Sequence, residues 1–162
     1  MKKKKLDPRP KGMSWMVPYL TVADAGKAAD FYQEAFGFEV VEKAPDTKGK
    51  IQHAELRYKD MVIMCGSEGA WNSPVQTPAH GSFLSPVNLY LYCEDVDALY
   101  DHLKSIKAEL RSGVEDTFWG DRMLMVGDPD GHAWIFATHR APKPVELPKR
   151  KRRSTSEIKS RR

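Results

Sequence analysis

The residues Tyr90-Leu91-Tyr92-Cys93-Glu94-Asp95 restate Tyr19-Leu20-Thr21-Val22-Ala23-Asp24 at an offset of 71. Each copy is an apolar run, an acidic residue and then a helical pattern, so both read as strand, helix cap and helix start. Asp24 can cap the free amides of the first turn. After it, Ala25, Ala28, Ala29, Tyr32, Ala35 and Phe36 form one helical stripe, and Gly37 supplies the left-handed residue that ends it. Strand signals follow at Phe38 to Glu42, Ile51 to Tyr58 and Met61 to Cys65, with Lys59-Asp60 as a tight hairpin link. In the second copy Val96, Leu99, Leu103 and Ile106 make the stripe, and strands are expected at Ala108 to Ser112, Arg122 to Val126 and His132 to His139. Asp128-Pro129-Asp130-Gly131 joins the last two as a turn. Each half therefore reads β-α-β-β-β, and a duplication constrains the chain to two alike modules, 13–65 and 87–139. Residues 66–86, rich in Pro and Gly, make a linker long enough to act as a lid or crossing segment.

Charge separates this core from the ends. Residues 1–12 carry six basic and one acidic side chain, and residues 140–162 ten basic and two acidic, which leaves residues 13–139 with ten basic and nineteen acidic. Both ends are expected to be flexible basic appendages on an acidic single domain. The cluster Lys149-Arg150-Lys151-Arg152-Arg153 resembles adhesives for nucleic acid or an anionic surface, although no aromatic residue lies among its charges to stack on a base. No apolar run reaches the length of a membrane span, and none follows the basic amino terminus as a signal peptide requires. Cys65 and Cys93 lie in apolar runs without metal-knuckle spacing, so a reducing cytoplasm is expected. At 162 residues the chain is too short for a two-domain dinucleotide-dependent enzyme, and it lacks a glycine-rich cofactor loop.

The ordered set VPYLTVADAGKAADFYQEAFGFEVV, HAELRYKDMVIM, VNLYLYCEDVDALYDHL and WGDRMLMVGDPDGHAWIFATH resembles the vicinal oxygen chelate superfamily of glyoxalases, bleomycin-resistance proteins and dioxygenases. The chain is most similar to its small PhnB-like members. The resemblance implies an α+β fold in which two βαβββ modules pair into a half-open eight-stranded cup with helices outside, a ligand in the concavity, and a homodimer. Metal-dependent members place one ligand on each of four strands. Carried over, those positions fall at Val17, Glu55, Asn88 and Ile135, and only Glu55 is a strong donor. No cofactor is therefore expected, and the metal-dependent lyase and ring-cleaving reactions are disfavoured.

Alternation in the strand 51–58 places Ile51, His53, Glu55 and Arg57 on one face, toward the cup, and Gln52, Ala54, Leu56 and Tyr58 on the other, toward a helix. His53 and Glu55 are candidates for an acid–base pair, against the alternative of an ion pair satisfied within the sheet. His80, His102, His132 and His139 read as structural, with His102 facing solvent. The rest of the wall is expected from Trp15, Tyr19, Asn88, Tyr90, Tyr92, Met123 and Met125, an aromatic lining suited to an organic ligand, cationic or aromatic. Trp71, Phe83 and Trp119 are candidates to close the groove. Three functions follow: a metal-free small-molecule-binding protein; a glyoxalase-like lyase or isomerase with an atypical metal site or a Glu55/His53 pair; and attachment to nucleic acid or an anionic surface through the tail.

Overall fold

The computed structural model describes residues 6–140. The basic cluster at 149–153, and the binding expected of it, lie outside the described residues. The first module runs β1 (Tyr19–Val22), α1 (Ala25–Phe36), β2 (Glu39–Pro45), β3 (Ile51–Tyr58) and β4 (Met61–Ser67), in the sheet order β1-β4-β3-β2. A 3-10 turn at Ala70–Asn72 and a short helix, α2 (Pro78–Gly81), occupy the linker. The second module follows with β5 (Asn88–Tyr92), α3 (Val96–Ser105), β6 (Glu109–Leu110), β7 (Glu115–Asp116), β8 (Asp121–Gly127) and β9 (Ala133–His139). Its order is β5-β9-β8-β6, with β7 also paired to β8. Both sheets are mixed, because β1 and β5 run parallel to β4 and β9 while the other pairs are antiparallel.

Local chemistry sets the helix ends. The Asp24 carboxylate accepts from the amides of Gly26 and Lys27, and Asp95 accepts from those of Asp97 and Ala98. Gly37 closes α1 at φ 73°, where a side chain would be strained.

The duplication persists in the register. Tyr19 lies opposite Met64 and Thr21 opposite Gly66, just as Tyr90 lies opposite Ile135 and Tyr92 opposite Ala137. The β8–β9 hairpin is one residue longer than Lys59-Asp60 allows in the first module, so the correspondence slips by one there: Glu55 opposes Met64, and Met125 opposes Ile135.

One core serves both modules. Leu20, Val22, Ile63 and Cys65 of the first sheet and Leu91, Leu124, Trp134 and Phe136 of the second join Tyr32 and Phe36 of α1 in a single buried cluster. Trp134 packs its ring 5.1 Å from both Tyr32 and Phe36. The buried Asp128 carboxylate accepts from the Tyr32 hydroxyl at 2.7 Å, the Trp134 indole at 2.9 Å, and the amides of Asp130 and His132. A carboxylate so supplied can be buried at little cost, and it ties α1 to the β8–β9 turn. With the apolar faces of both sheets turned to the helices, the opposite faces are left open.

Two expectations change. The strand expected over Ala108 to Ser112 is confined to Glu109–Leu110, and the short β7 beyond it brings the strands among the described residues to nine instead of eight. The amides of Arg111 and Ser112 both donate to the Met125 carbonyl and the Ser112 hydroxyl accepts from Met125 N, a bulge that stops β6 before β7 begins. Ile51 leaves the cup face, because a register shift between Ala44 and Pro45 turns it toward the core beside Gly26 of α1. His102 is exposed, as expected, and its Nε2 donates to the Glu34 carbonyl at 2.7 Å, which links α3 to α1.

Candidate functional site

The open face of the first sheet is built by alternation. Leu20 and Val22 of β1, and Ala54 and Leu56 of β3, point into the core, so Tyr19, Thr21, His53, Glu55 and Arg57 take the other side. The Tyr19 ring stacks on His53 with centroids 5.6 Å apart, and its hydroxyl lies 3.2 Å from His53 Nδ1. The other ring nitrogen of His53 is 3.8 Å from Glu55 Oε1, and Trp71 from the linker meets the ring edge-on at 6.4 Å. Glu55 is thus associated with His53, while the Arg57 guanidinium donates to the Gly12 carbonyl. Burial raises the Tyr19 phenol above its ordinary range. Trp15 stands exposed next to this face with the Arg9 guanidinium 4.3 Å over its ring.

The open face of the second sheet has a different centre. Tyr90 and Tyr92 of β5 share this face with Ile135 and Ala137 of β9 and with Met125 and Met123 of β8, as the register requires, and Asn88 is exposed at the head of β5. Both tyrosine hydroxyls donate to one oxygen of Asp121, Oδ2, at 2.7 Å and 3.0 Å, and the Trp119 indole donates to the same oxygen at 3.0 Å. His139 Nδ1 donates to Oδ1 at 2.7 Å. Asp121 is only 2% exposed. The bonds from Tyr90 and His139, and then those from Tyr92 and Trp119, hold its carboxyl down at about 2 against the opposite pull of burial. Burial, and next the bond to Asp121, push the Tyr90 phenol up to about 12, and the same bond raises Tyr92.

Sequence reasoning found the tyrosines but missed Asp121 and His139 as their partners. After Trp119-Gly120 an aspartate reads as a turn residue, and no spacing rule connects it to β5, which lies some thirty residues earlier in the chain. Trp119, expected only to close a groove, is part of the cluster itself.

The expected residues therefore form two clusters on two sheets: Tyr19, His53 and Glu55 on one, Tyr90, Tyr92 and Asp121 on the other. The edge strands β1 and β5 adjoin across a seam. A cavity of about 230 Å³ opens along it, lined by Met16, Pro18, Ile63, Leu89 and Tyr90 among others. Another of about 460 Å³ lies between β1, β5 and the linker, lined by Tyr19, Thr21, Val75, Phe83, Val87 and His132. Phe83 and Tyr19 line this cavity together. The linker above it is tied down by Glu68, whose carboxylate accepts from Thr77 N at 2.5 Å and from His80 at 2.8 Å, and by the Ala79 amide donating to the Asp130 carbonyl. His132 Nε2 donates to the Thr21 carbonyl at 2.8 Å, across the seam.

The divalent metal that the resemblance implies does not fit these residues. Val17 and Ile135 are hydrocarbon, and Asn88 offers one amide. The register adds that Ile135 corresponds in the first module to Met64, not to Glu55, which lies on the neighbouring strand. Among the described residues no three His, Cys, Asp or Glu side chains stand together as a metal-holding group. A hard divalent ion needs several oxygen or imidazole donors, and a thioether is a poor substitute. No helix among the described residues is long and apolar enough to cross a membrane.

Comparison with known proteins places this geometry. The model of the Glyoxalase/Bleomycin resistance protein/Dioxygenase superfamily matches residues 13–136. An uncharacterized protein of Mycobacterium bovis is 35% identical over 125 residues, which are 72% of this chain and 78% of that protein. Among solved structures, TioX from Micromonospora sp. ML1 aligns with a TM-score of 0.64 at 28% identity, covering 78% of this chain and 98% of TioX. TnmS3, an antibiotic binding protein from Streptomyces sp. CB03234, aligns with a TM-score of 0.55 at 25% identity, covering 76% of this chain and 95% of its own.

Proposed function

This chain belongs to the Glyoxalase/Bleomycin resistance protein/Dioxygenase superfamily, and from that premise we propose that it is a metal-free small-molecule-binding protein that holds an organic ligand on the open faces of its sheets. One observation carries the reading: those faces present Tyr19, Tyr90, Tyr92, Trp71 and Trp119 to solvent, while of the four positions that would hold a metal only Glu55 is a strong donor. Exposed aromatic surface of this extent is costly unless something covers it. The likeness to TnmS3 supports a ligand of antibiotic type, in which binding alone is the activity. Within the superfamily the chain is of the small PhnB-like kind. It acts as a homodimer, in which a second copy covers exposed side chains such as Trp15 and Met16, and it works in a reducing cytoplasm, consistent with the free Cys65 and Cys93.

The test is a titration of the full chain with a panel of aromatic and cationic organic compounds, followed by tryptophan fluorescence, with and without a chelator. The proposal expects saturable quenching that the chelator leaves unchanged. Affinity that disappears with the chelator and returns with one added metal ion contradicts it.

A second reading is favoured by the row Tyr19, His53 and Glu55, in which an imidazole stands between a phenol and a carboxylate. That row is suited to proton transfer from a bound substrate without a metal. Turnover lost in both Glu55→Gln and His53→Asn, with ligand affinity retained, would support this enzyme reading over simple sequestration.

A further inference from the structure

We infer that Tyr90, Tyr92 and Trp119, gathered on the Asp121 carboxylate, form a recognition site for an alkylated organic ammonium group. The inference rests on the binding function proposed above and names the chemistry of what is bound.

Three aromatic side chains from two segments converge on one carboxylate oxygen, yet their rings remain substantially exposed: Tyr92 57%, Trp119 47% and Tyr90 39%. Tyr90 and Tyr92 stand edge to face with centroids 5.6 Å apart, and Phe118 adds a fourth ring edge-on to Trp119 at 4.8 Å. A phenol or indole that donates its proton to an anion gains electron density on its ring, and the ring face then attracts a cation more strongly. The carboxylate supplies a net charge at the hydrogen-bonding edges of the rings. Of the basic side chains nearby, His139 is the one in contact with it through a hydrogen bond, for Arg122 is turned away to Asp97 and Asp116, and Arg140 to Asp97. The domain as a whole is acidic as well, which adds a long-range field of the right sign.

The hydrogen bonding narrows the class of cation. Oδ2, the oxygen on which the rings converge, already accepts from three donors, so it has no lone pair to spare for an N–H or a bare metal ion. A cation held here is bound by the field of the carboxylate and by ring faces. A quaternary or heavily alkylated ammonium has no N–H to satisfy, so it loses nothing in such a site. A primary ammonium would give up hydration on the side that meets the rings and gain no bond from Oδ2 in exchange.

The experiment compares choline with 3,3-dimethylbutan-1-ol, which has the same shape without the charge, on the full chain. The readout is the indole N–H resonance of Trp119, assigned by its loss in Trp119→Leu. The inference expects choline to shift that resonance with at least about tenfold higher affinity than the alcohol. Tyr92→Leu should weaken choline by about tenfold as well, by removing one ring face. Asp121→Asn should abolish the preference. Because Asp121 is buried and its replacement endangers folding, the exposed Tyr92 carries the test by itself. Equal affinity for the two compounds, or choline binding unchanged by Tyr92→Leu, overturns the inference. Adding 2-naphthol separates its failure from that of the parent reading. If 2-naphthol perturbs the open faces while choline shows no preference over its isostere, the cation site falls and the binding function stands; if none of the three compounds binds, both fall.

Discussion

Tyr19 and Tyr90 hold the same place in the two modules, one opposite Met64 and the other opposite Ile135, yet their hydroxyls meet different partners. Tyr19 reaches His53, whereas Tyr90 reaches Asp121. The cause is visible one step along the neighbouring strand. Gly66 in β4 leaves room for the Tyr19 ring to lie across it, since a Cβ there would stand 2.7 Å from the Tyr19 hydroxyl oxygen. The corresponding residue of β9, Ala137, already has that Cβ, and beyond it the strand presents Met123 where the first sheet presents His53. Duplicated backbones thus keep the pairing of β1 with β4 and β5 with β9 and a shared core, while single small residues decide how the polar groups on the open faces are connected. One face carries an imidazole–carboxylate pair with exposed neighbours, and the other a saturated buried carboxylate.

The largest expected effect concerns what the modules share. Trp134→Ala should cost about 3–5 kcal/mol, because the indole fills space against α1 of the first module as well as its own sheet. Its counterpart Ile63→Val should cost only about 0.5–1.5 kcal/mol. Urea denaturation should show one transition in both variants. Two separated transitions in Trp134→Ala would mean that the modules fold independently and that the core is less shared than described.

Next is the buried bond between modules. Tyr32→Phe removes one of the four donors to Asp128 and should destabilise by about 1–3 kcal/mol, the cost of a buried acceptor left short. A change near zero would show that water replaces the hydroxyl.

A smaller effect tests the explanation of the two tyrosines. In Gly66→Ala the new methyl meets the far end of a half-exposed ring, which can swing away, so stability should fall by about 1 kcal/mol or less. The Tyr19–His53 contact should nevertheless break, seen as a changed ring resonance of His53, with the Trp119 indole signal unmoved. An undisturbed His53 signal would remove Gly66 as the cause of the difference.

The smallest effect is one of pH and belongs to the second face. The Asp121 carboxyl is held at about 2 in the folded chain, below the value near 4 of an unfolded aspartate. Its contribution is therefore fully present above about pH 4 and is lost as pH falls toward about 2. Stability measured across that window should decline less steeply in Asp121→Asn than in the parent chain. An unchanged slope would mean that Asp121 is not held by its four donors.

Much of the fold was legible because it rests on local rules. The offset of 71, the acidic caps Asp24 and Asp95, and the stop at Gly37 each act within a few residues, and the structure follows them. Alternation likewise put Tyr19, His53, Glu55, Tyr90 and Tyr92 on the open faces. What was not legible depends on contacts between distant segments. The turn of Ile51 toward α1 follows from a bulge against β2, and the break at Ser112 from a side chain that replaces a backbone acceptor. Asp121 is a partner for side chains some thirty residues away, and nothing in its neighbours announces that role.

The most direct test of the central claim, that the open faces bind an organic molecule without a metal, is a map of amide and indole resonances of the full chain during titration with the compound that quenches its tryptophans most strongly, in the presence of a chelator. The account predicts shifts concentrated at Tyr19, His53, Tyr90, Tyr92 and Trp119. Shifts confined to the opposite side, around the cavity of about 590 Å³ lined by Phe36, Tyr58, Cys93 and Leu99, would contradict it.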